Sequence, residues 1–347
     1  MGHVMAIRIL GVFSGTVRRL AATVALFFAL MLPVSAQAGE LEDRNAIEAE
    51  VIAAFLSRDY ARLEGLSTRY ASTSERTASG LWKLSLFQGA FNDLQYCDYR
   101  DEDRWKSFEE LALGWTTAYP RSPGAHIVVA EVYFAHGRAY RGSDWAHNVP
   151  PENWKPYREY LVKARNYLLG EAAFAAADPR HHDLMLTITS ELQVPEAEFQ
   201  ALAEKAMTVN PGYYQIYFTI MNHYLPKWGG DVRAVEDFAR AAAKFTRASE
   251  GDGMYARIYW AASQYQFGAA LFTHSEANWS DMKRGIIDVL ARYDDDWNVN
   301  HFAKFACLAG DRQMTAELMA RIDSKPLAAA WEDVPFAECE RWVRTPQ

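Results

Sequence analysis

LAEKAMTVNPGYYQIYFTIMNHYLPKWGGDVRAVEDFARAAAKF, residues 202–245, is the stretch whose spacing decides the fold. Its first run ends at Pro211, which cannot continue a helix, and Ala206 before it is small enough for two helices to approach closely. Tyr217, Ile220 and Tyr224 then recur at intervals of three and four, the spacing of one helix face. Lys227-Trp228-Gly229-Gly230 makes a turn, and Ala234, Phe238 and Ala241 resume the interval. Two helices joined by a short turn form a hairpin.

The same grammar runs outward in both directions, and strand-like alternation is scarce. Ile47, Val51, Ala54 and Phe55 mark the inner stripe of a first helix; Leu63, Leu66 and Tyr70 begin a second, and Leu81, Leu84, Phe87 and Phe91 mark a third. A helix from about Trp105 stops near Pro120, and Ser122-Pro123-Gly124 starts the next, with Ile127, Ala130, Val132 and Phe134. Gly142, Pro150, Pro151 and Pro156 break the period, so residues 141–156 are predicted to be an inserted loop. Toward the end, Phe302, Phe305 and Ala306 precede the turn Ala309-Gly310-Asp311, after which Ala316, Leu318, Met319 and Ile322 resume the interval.

Pro179 and Pro211 lie 32 residues apart, close to the tetratricopeptide period of about 34. The fold expected is all-α: tetratricopeptide-like helical hairpins, degenerate in spacing, forming a curved α-solenoid. Five strings also resemble a bacterial family catalogued as domain of unknown function 4034: GLWKLSLFQGAF (80–91), AYPRSPGAHIVVAEVYFAHGRAYRGSDWA (118–146), NPGYYQIYFTIMNHYLPKWGGD (210–231), GMYARIYW (253–260) and NHFAKFACLAGDR (300–312). The resemblance implies tetratricopeptide-like helices and carries no catalytic residue across.

Residues 1–38 have the three-part grammar of a signal peptide: Arg8, Arg18 and Arg19, an uncharged apolar stretch from Leu20 to Val34, and Ala36-Gln37-Ala38 before Gly39. Cleavage would leave a single elongated domain, 39–347, in the periplasm or secreted; the alternative is a retained N-terminal tether. The whole chain carries a formal charge of −8, and loss of the leader leaves 33 basic against 44 acidic residues, a charge of −11. So acidic a chain is not expected to bind nucleic acid, and no second long apolar run would place it in a membrane after cleavage. Of Cys97, Cys307 and Cys339, an oxidising compartment favours a bridge between Cys307 and Cys339; three buried thiols are the other reading.

No nucleophile elbow, phosphate loop or His-Glu-x-x-His helix occurs, so no catalytic residue and no cofactor is assigned. His181 and His182 are adjacent on a helix and point apart, and His126 and His136 are about three turns apart, so no metal site is expected. Asp294 to Asn300 alternates oxygen-bearing residues like a calcium loop but has Val299 and Phe305 where glycine and glutamate are required. A solvated turn between helices is expected there.

An aromatic and basic set remains: Arg138, Arg141, Trp145 and His147 in or beside the inserted loop, with Tyr214, His223 and Trp228 on the later hairpin. Aromatics and arginine dominate recognition surfaces, and the same residues also fill gaps between helices. The reading favoured is a non-catalytic module that binds a protein or peptide partner in the cell envelope. The alternatives are an enzyme of unfamiliar, hydrolytic type whose site is assembled from distant helices, and a structural envelope component.

Overall fold

The computed structural model describes residues 39–322 and 325–345. The expected signal peptide lies outside the described residues. In chain order the helices are α1 (Glu40–Leu56), α2 (Tyr60–Thr73), α3 (Lys83–Gly89), α4 (Glu102–Ala118), α5 (Pro123–Arg141), α6 (Trp154–Gly170), α7 (Ala172–Ala175), α8 (Pro179–Glu191) and α9 (Glu196–Val209). They continue as α10 (Tyr214–His223), α11 (Val232–Glu250), α12 (Gly253–Ala262), α13 (Leu271–His274), α14 (Trp279–Leu290), α15 (Asp296–Leu308), α16 (Arg312–Ile322) and α17 (Phe336–Arg344). The protein is all-helical, and among the described residues a lone bridge between Arg76 and Trp82 is the only β pairing.

Short polar side chains start many of these helices. Asp59, Asp101, Ser122, Asp178, Asp231, Asn278 and Asp295 each accept a hydrogen bond from a main-chain N–H of the first turn, satisfying a donor the helix itself cannot pair. Asp295 is the informative case. It turns the acidic run into a helix start: Trp297 to Asn300 are buried within α15 instead of forming the solvated turn expected. The third helix is also shorter than its apolar spacing suggests, since α3 ends at Gly89 and Asn92–Tyr96 is a tighter 3₁₀ turn. The inserted segment holds two short 3₁₀ turns, Ala146–Asn148 and Pro151–Asn153, and α6 already begins at Trp154.

The helices sort by how they are buried. Most of α5, α8 and α15 and all of α12 lie out of solvent, and in α8 and α15 the burial takes in polar side chains such as Arg180, Asp183, Asn298 and His301. Their neighbours bury one stripe each: Tyr157, Leu161, Ala164 and Leu168 on α6, or Met282, Gly285, Ile286 and Val289 on α14. In sequence, α5 packs on α4 and α6, α8 on α6, α9 and α10, α12 on α10, α11 and α14, and α15 on α14 and α16. Cys307 of α15 is joined to Cys339 of α17 by a disulfide, which ties the last helix down; Cys97 is free.

One stretch, residues 67–82, crosses the N-terminal ends of five central helices, α5, α8, α10, α12 and α15. The Arg180 guanidinium donates to Ser67 Oγ at 2.8 Å, and Gly124 of α5 sits so close that a Cβ would meet Ser67 Oγ at 2.2 Å. Arg76 donates to the Gly212 carbonyl at 2.9 Å, and Trp82 packs edge-on against Tyr213 with ring centroids 5.5 Å apart. Arg257 and Asn298 both donate to the Ser79 carbonyl, at 2.9 and 3.2 Å. Ser79 is in turn held by the buried Glu40 of α1. The N-terminal helices thus fasten one edge of the central helices, and the opposite edge is covered only in part, where Asn92–Tyr96 and Tyr99 pack on the end of α5.

Candidate functional site

Toward that partly open edge, polar side chains of α5, α8 and α10 gather along one seam, the candidate groove. Glu131 of α5 and Asp183 of α8 are buried close to one another, with Gln88 of α3 between them. The Gln88 amide donates to Glu131 Oε1 at 2.8 Å and accepts from the Tyr213 hydroxyl at 3.2 Å, while Thr219 of α10 donates to Asp183 Oδ1 at 2.6 Å. Burial pushes the Glu131 carboxyl up to about 8, helped by Asp183 and opposed by Gln88. Burial also raises Asp183, to about 6, against the hydrogen bonds of Thr219 and Gln88. At neutral pH the floor therefore holds one protonated and one ionised acid, the arrangement in which two nearby carboxyls avoid mutual repulsion.

Two turns further along, roughly 11 Å on helical rise, the charges pair. Arg138 of α5 donates to Glu191 Oε1 of α8 at 3.2 Å, and Tyr157 donates to Glu191 Oε2 at 2.8 Å. Phe134 and Thr187, between the two layers, are half-buried, so the seam is open to solvent. The facing side of α10 is equally accessible: Gln215, Phe218, Thr219 and Asn222, at i, i+3, i+4 and i+7, are all half-buried.

The rim comes from two turns. Pro226–Trp228 presents Lys227 and Trp228; Gly229 after it has φ +97°, and a Cβ on Gly230 would meet the Tyr224 carbonyl oxygen at 2.1 Å, so the sequence needs both glycines here. A π-helical turn, Ser263–Phe267, ends α12 and swings Tyr265 outward. Lys227 Nζ donates to the Tyr265 carbonyl at 2.9 Å and lies 5.3 and 5.4 Å from the Trp228 and Tyr265 ring centres. Trp228 Nε1 donates to Asn222 Oδ1 at 3.3 Å. Half of Tyr265 is solvent-exposed, yet surrounding protein raises its hydroxyl above the ordinary range, with Asp183 adding to the effect. Burial, and then the charge of Arg138, lower Lys227.

The structure gathers part of the aromatic and basic set. Arg138 and Trp228 are on the groove, and the charge of Arg141 reaches Glu191. Trp145 and His147 project from the inserted loop, Trp145 with 70% of its surface exposed. Tyr214 is elsewhere, buried at the opposite end of α10 between Arg76 and Arg257. His223 is also apart: it stacks on Phe199 at 3.7 Å and bonds Ser190 at 2.8 Å and Glu196 at 3.0 Å. Asp183 adjoins the His181-His182 pair at the helix start after Pro179, and Lys227 belongs to the expected turn; Glu131, Gln88, Glu191 and Tyr265 carry no spacing signal. For Glu131 and Asp183 the local signal is an acid within or at the head of an apolar run, in IVVAEVYF (127–134) and HHDLMLTI (181–188).

Other polar clusters serve packing. His136 stacks on Trp105 at 4.2 Å and lies tilted against Tyr160 at 4.0 Å, and burial lowers it to about 4. His182 is lowered to about 4 by burial and by His181. Among the described residues no three His, Cys, Asp or Glu side chains gather around a point where a metal could sit. A hollow of about 100 Å³ ringed by Arg240, Lys244, Arg247 and Arg284 is filled electrostatically by Asp252 and Asp281, which pair with those arginines. A second hollow is lined by a single stretch around α17, Ala337 to Thr345, and gathers no buried polar group.

Comparison with protein-family models, with curated proteins and with solved structures finds no match. The likeness of the five quoted strings to a family therefore stays an expectation, and the groove has to be read from its own chemistry.

Proposed function

We propose that this chain is an exported, non-catalytic binding protein that takes an extended protein or peptide segment into the groove between α5, α8 and α10. Its helical hairpins are of the tetratricopeptide kind and stack into a curved solenoid, with the N-terminal helices closing one edge. The observation that carries the reading is the rim: Lys227 stands beside the half-exposed rings of Trp228 and Tyr265, within reach of the charge of Arg138. Large amphipathic rings and cations anchor a partner, and the amides of Gln215 and Asn222 can pair an extended backbone. The absence of a membrane-crossing helix among the described residues fits a partner met in solution.

The test is selection from a displayed peptide library on the processed chain, followed by calorimetry. Arg138→Ala and Trp228→Ala should each weaken a selected peptide about tenfold or more while the circular dichroism spectrum stays unchanged. Peptides that bind both variants as tightly as the wild type would place recognition outside the groove.

A second reading rests on the floor. Two buried acids with separated proton affinities, Glu131 and Asp183, are the equipment of general acid and general base. On that reading the groove hydrolyses its occupant, and Asp183→Asn abolishes turnover without weakening binding.

A further inference from the structure

The last helix is attached to the fold unlike any other. In α17 a single residue, Cys339, is buried, and it is the one bridged to Cys307 of α15. Phe336, Trp342 and Val343 are half-buried, and Ala337, Glu338, Arg341 and Arg344 are exposed. Two further contacts hold the helix, both partly wet. Phe336 meets the Trp331 ring edge-on with centroids 5.0 Å apart, and Arg312 of α16 donates to the Val343 and Thr345 carbonyls with its guanidinium 4.9 Å from the Trp342 ring centre. α17 has 9 residues, and a helix of fewer than about 12 does not persist in water on its own.

The segment just before it is fastened in another way. Ala330, Trp331 and Val334 are buried. The Leu327 N–H and the Trp331 indole N–H both donate to Asn300 Oδ1, at 3.0 and 2.9 Å, and Lys304 Nζ donates to Asp333 at 2.7 Å. Asn300 and Lys304 belong to α15, so this stretch is held without the bridge. α15 and α16 in turn pack on each other, with Phe302, Phe305 and Ala306 buried on one and Met314, Leu318 and Met319 on the other. Side chains therefore secure the chain as far as Val334, and past Pro335 the covalent bond is the one buried attachment.

We propose that the bridge between Cys307 and Cys339 is a thiol-sensitive latch, whose reduction by a dithiol releases α17 and leaves the rest of the fold in place. Cys307 is the more exposed partner, so the incoming thiolate attacks its sulfur, forming a mixed disulfide and expelling Cys339 as a thiolate that takes up a proton. The second thiol of the reductant then displaces Cys307. Two protein thiols remain, and the dithiol leaves as a disulfide. α17 unravels, and the part of α15 and α16 on which it packed meets solvent. No residue of the groove takes part.

The experiment is hydrogen exchange read by mass spectrometry on the processed chain, with and without dithiothreitol, the free thiols being counted by alkylation. Reduction should make the amides of residues 337–345 exchange about a hundredfold faster, while α15, α16 and residues 327–334 keep their protection. A double variant, Cys307→Ala with Cys339→Ala, should show the same fast exchange with no reductant, and Cys97→Ala should behave as the wild type. Protection of α17 that survives both reduction and the double variant would mean that packing alone holds it. Loss of protection that spreads to α15 and α16, or a double variant that fails to fold, would make the bridge a staple of the whole C-terminal hairpin. A bridge that dithiothreitol reduces only in denaturant would lie beyond the reach of a dithiol. Each of these results overturns the proposal.

Discussion

The two edges of the central helices are built on opposite terms. Where α5, α8, α10, α12 and α15 begin, the chain's own residues 67–82 cross them; the backbone approaches closely at Gly124 and Gly80, and the Arg180 and Asp178 side chains are paired at 2.6 Å with almost no exposure. Where α5, α8 and α10 end, the cover is partial: Gln95 and Tyr99 pack on the end of α5, while Arg138, Glu191, Lys227, Trp228 and Tyr265 keep contact with solvent. The lesson is that one layer of helices can be a sealed core at one end and an adaptable surface at the other. What differs is whether another part of the same chain satisfies the polar groups at the ends.

Substitutions should respect that division, with the largest effect at the sealed edge. Arg180→Ala strands the Asp178 carboxylate in a dry site and should cost about 3 to 5 kcal/mol in denaturant unfolding; a loss below that of an exposed ion pair would mean the edge is wetter than described. The pH dependence of stability should come next. Glu131 holds its proton more tightly folded than unfolded, so its contribution is full below its ordinary value of 4.5 and is lost as pH rises through about 8. Glu131→Gln should flatten unfolding free energy over that window, and a slope that persists unchanged assigns it to another group. Gly124→Ala forces a methyl against Ser67 Oγ and should cost about 1 to 3 kcal/mol. Smallest is Trp228→Ala on the open edge, expected to shift stability by no more than about 0.5 kcal/mol. A Trp228→Ala protein as unstable as Gly124→Ala would erase the contrast between the edges.

Much of the helical layout is legible in the chain because capping and period are local. Ser122-Pro123, Asp178-Pro179 and Asp231 announce the starts of α5, α8 and α11, and the apolar intervals mark the faces. The start of α15 was missed because Asp294-Asp295-Asp296 looks like a solvated run until Asp295 is seen capping the helix. The groove was legible in part: Arg138 and Trp228 carry the composition of a recognition surface. Tyr214 has the same composition and lies in the core, since residue type does not say which way a helix is turned.

The sequence by itself determined the helices, most of their ends and the residue types available for recognition, because hydrogen bonds within four residues and apolar periodicity are properties of a single segment. Tertiary structure alone decided that Glu131 meets Asp183 across 52 positions and that Arg257 and Asn298 meet at Ser79. It also decided which acid keeps its proton. Burial and proximity belong to the assembled core, and no segment carries them alone.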